Sequence, residues 1–326
     1  MDKKDIEQNK GILIEGPIPP KALMVAQSQG LTSDEIWGSY FPPNDDRNPN
    51  MGSHYLGLVT LTPGEVRGRI DKERSRVLNN DFQAPWSHEL DSLVKADDAE
   101  LDKLFEVGIG AVKQHELTHK KQQDLLEYQS LVLQAYWVIN ITKDNEGKSK
   151  VRESYQDLVL LAEVQALSRQ CSAEEGNVDI LRRFNIYWFS KTLKLFNGTV
   201  TKNYVPQIKG FDASSGKIDV QYGSKDISFF EDLFNSLRNK QDFEPKIANV
   251  YGLMSRALYL CEDPAETLNE IRTGKISVNE FQTRVVSGLN KMIIQKPEEI
   301  VKRGKVIFEQ TEKPLRETVG KLRAML

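Results

Sequence analysis

Cysteine is scarce in this sequence, where Cys171 and Cys261 are the only two among 326 residues. Two cysteines are too few for a disulfide framework or for a zinc site built from thiolates. We therefore expect both thiols to be reduced and buried, as in a cytoplasmic protein. A protein exported by a route that needs no signal peptide would have the same composition, so the sequence leaves both locations open.

The sequence also lacks a long apolar run and a strong excess of charge of one sign. The longest apolar stretch, near residues 131–139, is interrupted by Gln134 and is too short to span a bilayer. The opening residues, MDKKDIEQNKG, contain no apolar segment of the kind that a secretory signal peptide requires. The net charge of −3 gives no indication of nucleic-acid binding. These absences predict a globular protein with no membrane span and no nucleic-acid partner.

Turn-forming residues and hydrophobic periodicity divide the chain into three predicted parts. Residues 1–50 are rich in proline and asparagine, which predicts an irregular segment. Residues 51–175 contain a candidate strand at 54–62, followed by helical patterns. Residues 176–326 have a mainly helical pattern, with a β-hairpin predicted over 203–223. No motif indicates a role for this last part.

Histidine is scarce as well, yet two of the four histidines lie four positions apart in the stretch QHELTHKKQQ. On a helix, this spacing places the imidazoles of His115 and His119 on one face, so both can reach a single zinc ion. Glu116 lies next to His115 but off the ligand axis. Its carboxylate can take a proton from a metal-activated water without binding the metal. The pattern predicts a zinc-dependent hydrolase with Glu116 as its general base.

The run from His115 to His119 resembles the HExxH signature of the zincin metallopeptidases, and HELTH itself occurs in the thermolysin-like gluzincins. The longer run HELTHKKQQ is similar to the HELTHxxQQ signature of a bacterial family linked to contractile injection systems. The resemblance covers residues 115–123 and implies a zinc peptidase, more an endopeptidase than an exopeptidase, with a protein or peptide substrate. We therefore expect a mainly α (α+β) fold, in which residues 51–175 form a zincin-like catalytic core with a small sheet. A largely helical region with one hairpin would follow.

A catalytic zinc site needs a third protein ligand. In the metzincin arrangement this ligand would be a histidine at the position of Leu125, which excludes that variant. The gluzincin arrangement takes a carboxylate from a downstream helix. The resemblance points to Glu163, because its context EVQA is similar to the ExxA pattern of gluzincins. Glu174 and Glu175 are the alternatives.

The choice between these glutamates depends on where the HELTH helix ends. If that helix continued from His119 to about residue 141, it would extend about 33 Å, and a returning helix would cover only about 20 Å before Glu163. Glu163 would then lie too far from His119, and Glu174 or Glu175 would lie closer. Glu163 can reach the histidines if the helix ends or bends soon after about residue 124.

The zincin resemblance also implies a side chain that stabilises the oxyanion of the reaction. Tyr155, two helical turns before Glu163, resembles a tyrosine of the gluzincins in its placement, and His88 is the other candidate.

A different interpretation is that the chain is not an active enzyme. The chain could be a non-enzymatic helical interaction protein, or an inactive pseudo-peptidase with a vestigial or structural metal site.

Overall fold

A computed structural model of the chain describes residues 11–15, 38–41, 57–61, 98–141, 145–173, 178–196, 206–212, 217–222, 227–241 and 250–326. Within these ranges the chain forms nine helices and five strands. The helices are α1 (Asp98–Leu126), α2 (Tyr128–Ile141), α3 (Asn145–Cys171), α4 (Val178–Phe196), α5 (Ile227–Arg238), α6 (Val250–Leu260), α7 (Pro264–Thr273), α8 (Val278–Ile294) and α9 (Pro297–Met325). The strands are β1 (Gly11–Glu15), β2 (Gly38–Phe41), β3 (Gly57–Leu61), β4 (Pro206–Asp212) and β5 (Lys217–Tyr222). None of the described helices is long and apolar enough to cross a membrane.

The strands form two small groups. Strand β3 lies between β1, to which it is parallel, and β2, to which it is antiparallel. Strands β4 and β5 pair in an antiparallel manner, with a register irregularity between Ile208 and Gly210. The backbone of 57–61 is thus extended within the predicted strand at 54–62, and β4 and β5 lie within 203–223.

The predicted fold class is nevertheless wrong, because the core that the structure describes is all-helical. Strands β2 and β3 lie near α1, but no residue whose side chain is described lies in a strand. Every buried core residue of the described part belongs to a helix or to a turn next to one. The alternating pattern at 54–62 favours extended backbone, but it does not determine which elements bury apolar surface. The described core residues around the site belong to packed helices. They do not form the predicted zincin-like core with a small sheet and a following hairpin.

Helix α3 lies at the centre of the core, because most of its residues between Leu158 and Leu167 are buried. Leu158, Leu160, Leu161, Val164 and Leu167 are each at most 3% exposed, although they point in different directions around the helix. Helices α1, α2, α6 and α9 all pack against α3. Four neighbouring helices therefore hold the backbone of α3 in place, including the turn that carries Glu163.

Helix α9 approaches α3 closely at one glycine. A Cβ atom at Gly304 would lie 2.7 Å from the carbonyl oxygen of Ser168 and 3.0 Å from the Cβ of Ser172. The backbones of the two helices can therefore pack this tightly only if residue 304 has no side chain. The C-terminal helix is thus an integral part of the support for the site.

The HELTH helix ends at Leu126, just beyond the point that the sequence analysis requires. Glu127 has a φ of 54°, in the left-handed region that terminates a helix. The next helix, α2, begins at Tyr128, and the side chain of Gln123 accepts a hydrogen bond from the backbone N–H of Gln129 at 2.8 Å. Arg323 of α9 donates to the carbonyl oxygen of Leu126 at 3.1 Å. These contacts hold the end of α1 in place.

We expect Gly304→Ala to destabilise the protein, because the added methyl group would meet a backbone carbonyl of α3. Overpacking of this kind costs about 1–3 kcal/mol, which outweighs a helix-propensity gain of at most about 1 kcal/mol. The melting temperature, followed by circular dichroism, should fall. Gly320→Ala is the matched control on the same helix, where a Cβ meets nothing within 4 Å. This variant should melt at the wild-type temperature or higher, and equal melting of both variants would contradict the close approach.

Candidate metal centre

Helix α1 places His115 and His119 against α3, and α3 places Glu163 opposite them. His119 Nε2 lies 2.9 Å from Glu163 Oε2, and His115 Nε2 lies 3.5 Å from Glu163 Oε1. The two Nε2 atoms are 3.1 Å apart. The structure therefore brings together the three residues that the sequence analysis selects as metal ligands, and this group could hold a metal ion.

The spacing of these atoms suits a tetrahedral zinc ion. Ligand atoms at about 2.0–2.1 Å from zinc, with tetrahedral angles between them, lie about 3.3 Å from one another. The two Nε2 atoms, 3.1 Å apart, and His119 Nε2 with Glu163 Oε2, 2.9 Å apart, lie near that value. His115 Nε2 lies 3.5 Å from Oε1, the other oxygen of the same carboxylate. With one ligand atom from each residue, all three lie within 4.8 Å of one another. Two imidazole nitrogens and one carboxylate oxygen also form a common ligand set of catalytic zinc. Both the distances and the donor types therefore fit Zn²⁺.

The three side chains differ in their access to solvent. The side chains of His115 and His119 are only 9% and 13% exposed, whereas that of Glu163 is 30% exposed. Glu163 is therefore the most solvent-accessible of the three side chains. A structural zinc site is closed by four protein ligands, whereas a catalytic site keeps one position open to water or substrate. Three protein ligands with one accessible side resemble the second type.

The electrostatics of the group favour a cation between the three side chains. Burial lowers the pKa of His119, but the charge of Glu163 and the hydrogen bond with it outweigh burial and raise this pKa to about 9. Burial raises the pKa of Glu163, but His115 and His119 together hold it well below its usual range. In the metal-free protein the carboxylate is therefore anionic and His119 is cationic at neutral pH. A metal ion would replace the proton of the imidazole.

Gln122 contacts His119 on the side away from Glu163. The Oε1 atom of Gln122 lies 2.9 Å from Nδ1 of His119. The amide nitrogen of Gln122 donates to the carbonyl oxygen of Ala162 and to Oε1 of Gln165, each at 3.0 Å. By contrast, the Nδ1 atom of His115 is buried without a hydrogen-bond partner in the described part of the chain. No sequence pattern assigned a role to Gln122, although its spacing of three residues from His119 places both on one side of α1.

Glu116, the predicted general base, lies on α1 next to the first ligand. Its side chain is buried, with 7% exposure. Its charge contributes to the raised pKa of His119, which indicates that the carboxylate lies close to the metal group. A carboxylate in this position can act on a water molecule at the metal, as the sequence analysis proposes.

Tyr128 is the second residue that the sequence analysis missed. Its ring stacks on His119, with 6.3 Å between the ring centroids and 22° between the planes. Burial raises the pKa of its phenol, and the charges of Glu163 and Tyr155 raise the pKa further. The phenol therefore stays protonated and can donate a hydrogen bond. Tyr128 reaches His119 only because α1 ends between them, and no sequence pattern predicts that break.

Of the remaining candidate site residues, only Tyr155 lies in the described part of the chain. Tyr155 is half-buried on α3 and packs its ring edge against Tyr251, with 6.1 Å between the centroids. Its proposed role as a catalytic hydrogen-bond donor stays a prediction. His88 and the alternative ligands Glu174 and Glu175 lie outside the described residues.

Comparisons with known proteins return no relatives for this chain. Neither a protein-family model, nor a curated protein, nor a solved structure matches it. The support for a metal centre therefore comes from the residues and distances of this chain alone.

We expect zinc binding at pH 7 to release about one proton, since His119 must lose its proton to coordinate the metal. Isothermal titration calorimetry in buffers of different ionisation enthalpy measures this number. Zinc affinity should also fall as the pH is lowered from 8 to 6, because protons then compete for the imidazole.

Glu163→Gln removes the charge that raises the pKa of His119. This variant should bind zinc more weakly and release fewer protons per zinc. A binding heat that does not depend on the buffer in the wild type would contradict the raised pKa.

Proposed function

We propose that this protein is a zinc-dependent peptidase that hydrolyses peptide bonds of a protein or peptide substrate. The observation that carries the proposal is the convergence of His115, His119 and Glu163 across two helices, with separations that suit zinc. Glu116 lies next to this group, where a general base is needed. An endopeptidase is the form we favour.

Each residue has a distinct role in the proposed reaction. His115, His119 and Glu163 hold the metal. Zinc, when bound, supplies Lewis acidity and lowers the pKa of water. Glu116 accepts a proton from the attacking water and then returns it to the nitrogen of the leaving amine. The exposed side of Glu163 supports this reading, because substrate and water need a route to the group.

The polarised carbonyl oxygen of the substrate would need a hydrogen-bond donor. Two tyrosines are candidates for this role. Tyr155 is supported by its position two turns before Glu163, and Tyr128 is supported by its stacking on His119. Tyr155 also contributes to the raised pKa of Tyr128. We therefore assign the donor role to one of these two tyrosines.

A second function has one observation in its favour. Helix α2 exposes four large apolar side chains, namely Leu133, Tyr136, Trp137 and Ile141, each more than half exposed. Contiguous exposed apolar surface of this kind often marks a contact with another protein. A non-enzymatic interaction protein with a structural metal would also show such a surface. The accessible side of the metal group favours the enzyme, and the activity of a Glu116 variant distinguishes the two.

Glu116→Gln should abolish hydrolysis while zinc content and melting temperature stay at wild-type values. Loss of the general base is expected to lower the rate by about 100-fold or more. Fluorescein-labelled casein is a suitable first substrate, and the zinc content is measured on the same preparation. Glu106→Gln is the matched control, because Glu106 is an exposed glutamate on the same helix. Full activity of Glu116→Gln would overturn the mechanism.

Tyr128→Phe and Tyr155→Phe should separate the two candidate hydrogen-bond donors. The variant that removes the donor should lower kcat by about 100-fold or more, with little change in KM or zinc affinity. The other variant should retain most of the wild-type kcat. If both variants keep the wild-type kcat, neither phenol stabilises the oxyanion.

A further inference from the structure

The side chain of Gln122 bridges α1 and α3 directly behind the metal group. It is buried, with 3% exposure. Its amide oxygen faces Nδ1 of His119, and its amide nitrogen faces Ala162, the residue before Glu163. One side chain therefore connects a histidine of the group to the backbone that carries the carboxylate.

The backbone carbonyl of Ala162 fixes which way the amide of Gln122 points. A backbone carbonyl oxygen can only accept a hydrogen bond, so the atom that faces it at 3.0 Å must be the NH₂ group of Gln122. The amide oxygen then has to face His119. Because this oxygen can only accept, the Nδ1 atom of His119 must carry a proton.

The same chain of contacts determines which nitrogen of His119 faces the metal. With its proton on Nδ1, the neutral imidazole has its lone pair on Nε2. That atom lies 2.9 Å from Glu163 Oε2 and 3.1 Å from His115 Nε2. We propose that Gln122 is a positioning residue of the metal site, which fixes the tautomer and the ring orientation of His119 through the carbonyl of Ala162.

The proposal distinguishes the two histidines. His119 has a buried partner on Nδ1, whereas Nδ1 of His115 is buried without one among the described residues. The orientation of His119 is therefore built into the contact between α1 and α3. Partners of this kind typically account for a 10–100-fold change in metal affinity. The inference rests on the proposed zinc site, but it does not depend on catalysis.

Three variants test the role of Gln122 through zinc affinity, measured by competition with a chromophoric chelator. Gln122→Met keeps the approximate volume but removes the acceptor, and we expect zinc to bind about 10–100-fold more weakly. Gln122→Glu keeps an oxygen that accepts from Nδ1–H but loses the donor to the carbonyl of Ala162, so its affinity should lie between those of the wild type and Gln122→Met. Gln165→Met is the matched control. It removes the other partner of the Gln122 amide and leaves the contacts with His119 and Ala162, so its affinity should be unchanged.

A spectroscopic measurement on the zinc-loaded wild type does not depend on how well a variant folds. In ¹⁵N-labelled protein, His119 should show a hydrogen-bonded proton on Nδ1 and no proton on Nε2. Only four histidines have to be assigned. Coordination through Nδ1 of His119, or wild-type zinc affinity in Gln122→Met, would overturn the inference and leave the zinc site intact. Failure of the wild type to bind zinc at all would overturn both the inference and the proposed function.

Discussion

The structure depends on one electrostatic contact, in which a carboxylate of α3 meets two imidazoles of α1 between packed helices. Three titratable groups in such a place are costly unless their charges compensate one another. In the metal-free protein the compensation comes from the ion pair between His119 and Glu163. A divalent cation would provide stronger compensation, since it interacts with all three groups at once. The same contact therefore links the packing of α1 on α3 to the chemistry that we propose.

The positions of these groups follow from packing at some distance from the metal. Helix α3 is rigid because helices surround it, and the glycine at 304 lets α9 lie directly on its backbone. The last turns of α9 also contact the end of α1, where Arg323 donates to Leu126 and pairs with Glu127. The C-terminal helix thus contacts both helices that carry the candidate ligands. This arrangement gives α9 a structural role near the site, although its sequence contains no motif.

The site could be predicted from the sequence far better than the fold. Two histidines at a helical spacing specify their own relative geometry, so the placement of His115, Glu116 and His119 follows from local rules. Glu163 depends on where α1 ends. That end lies at Glu127, which adopts a left-handed conformation. No glycine or proline in the sequence marks this position as the end of a helix. Tyr128 and Gln122 were missed because their roles arise from the break and from the approach of α3. Strand propensity predicted extended backbone, but the all-helical core arises from tertiary packing that propensity does not describe.

The central claim is that the three side chains form a zinc site, and metal content tests it most directly. The chain is purified, incubated with zinc, freed of excess metal, and analysed by inductively coupled plasma mass spectrometry beside His119→Ala. The account predicts about one zinc per wild-type chain and a large loss in the variant, because two remaining ligands hold zinc poorly. A wild-type chain without zinc would contradict the account, and so would equal zinc in the two proteins.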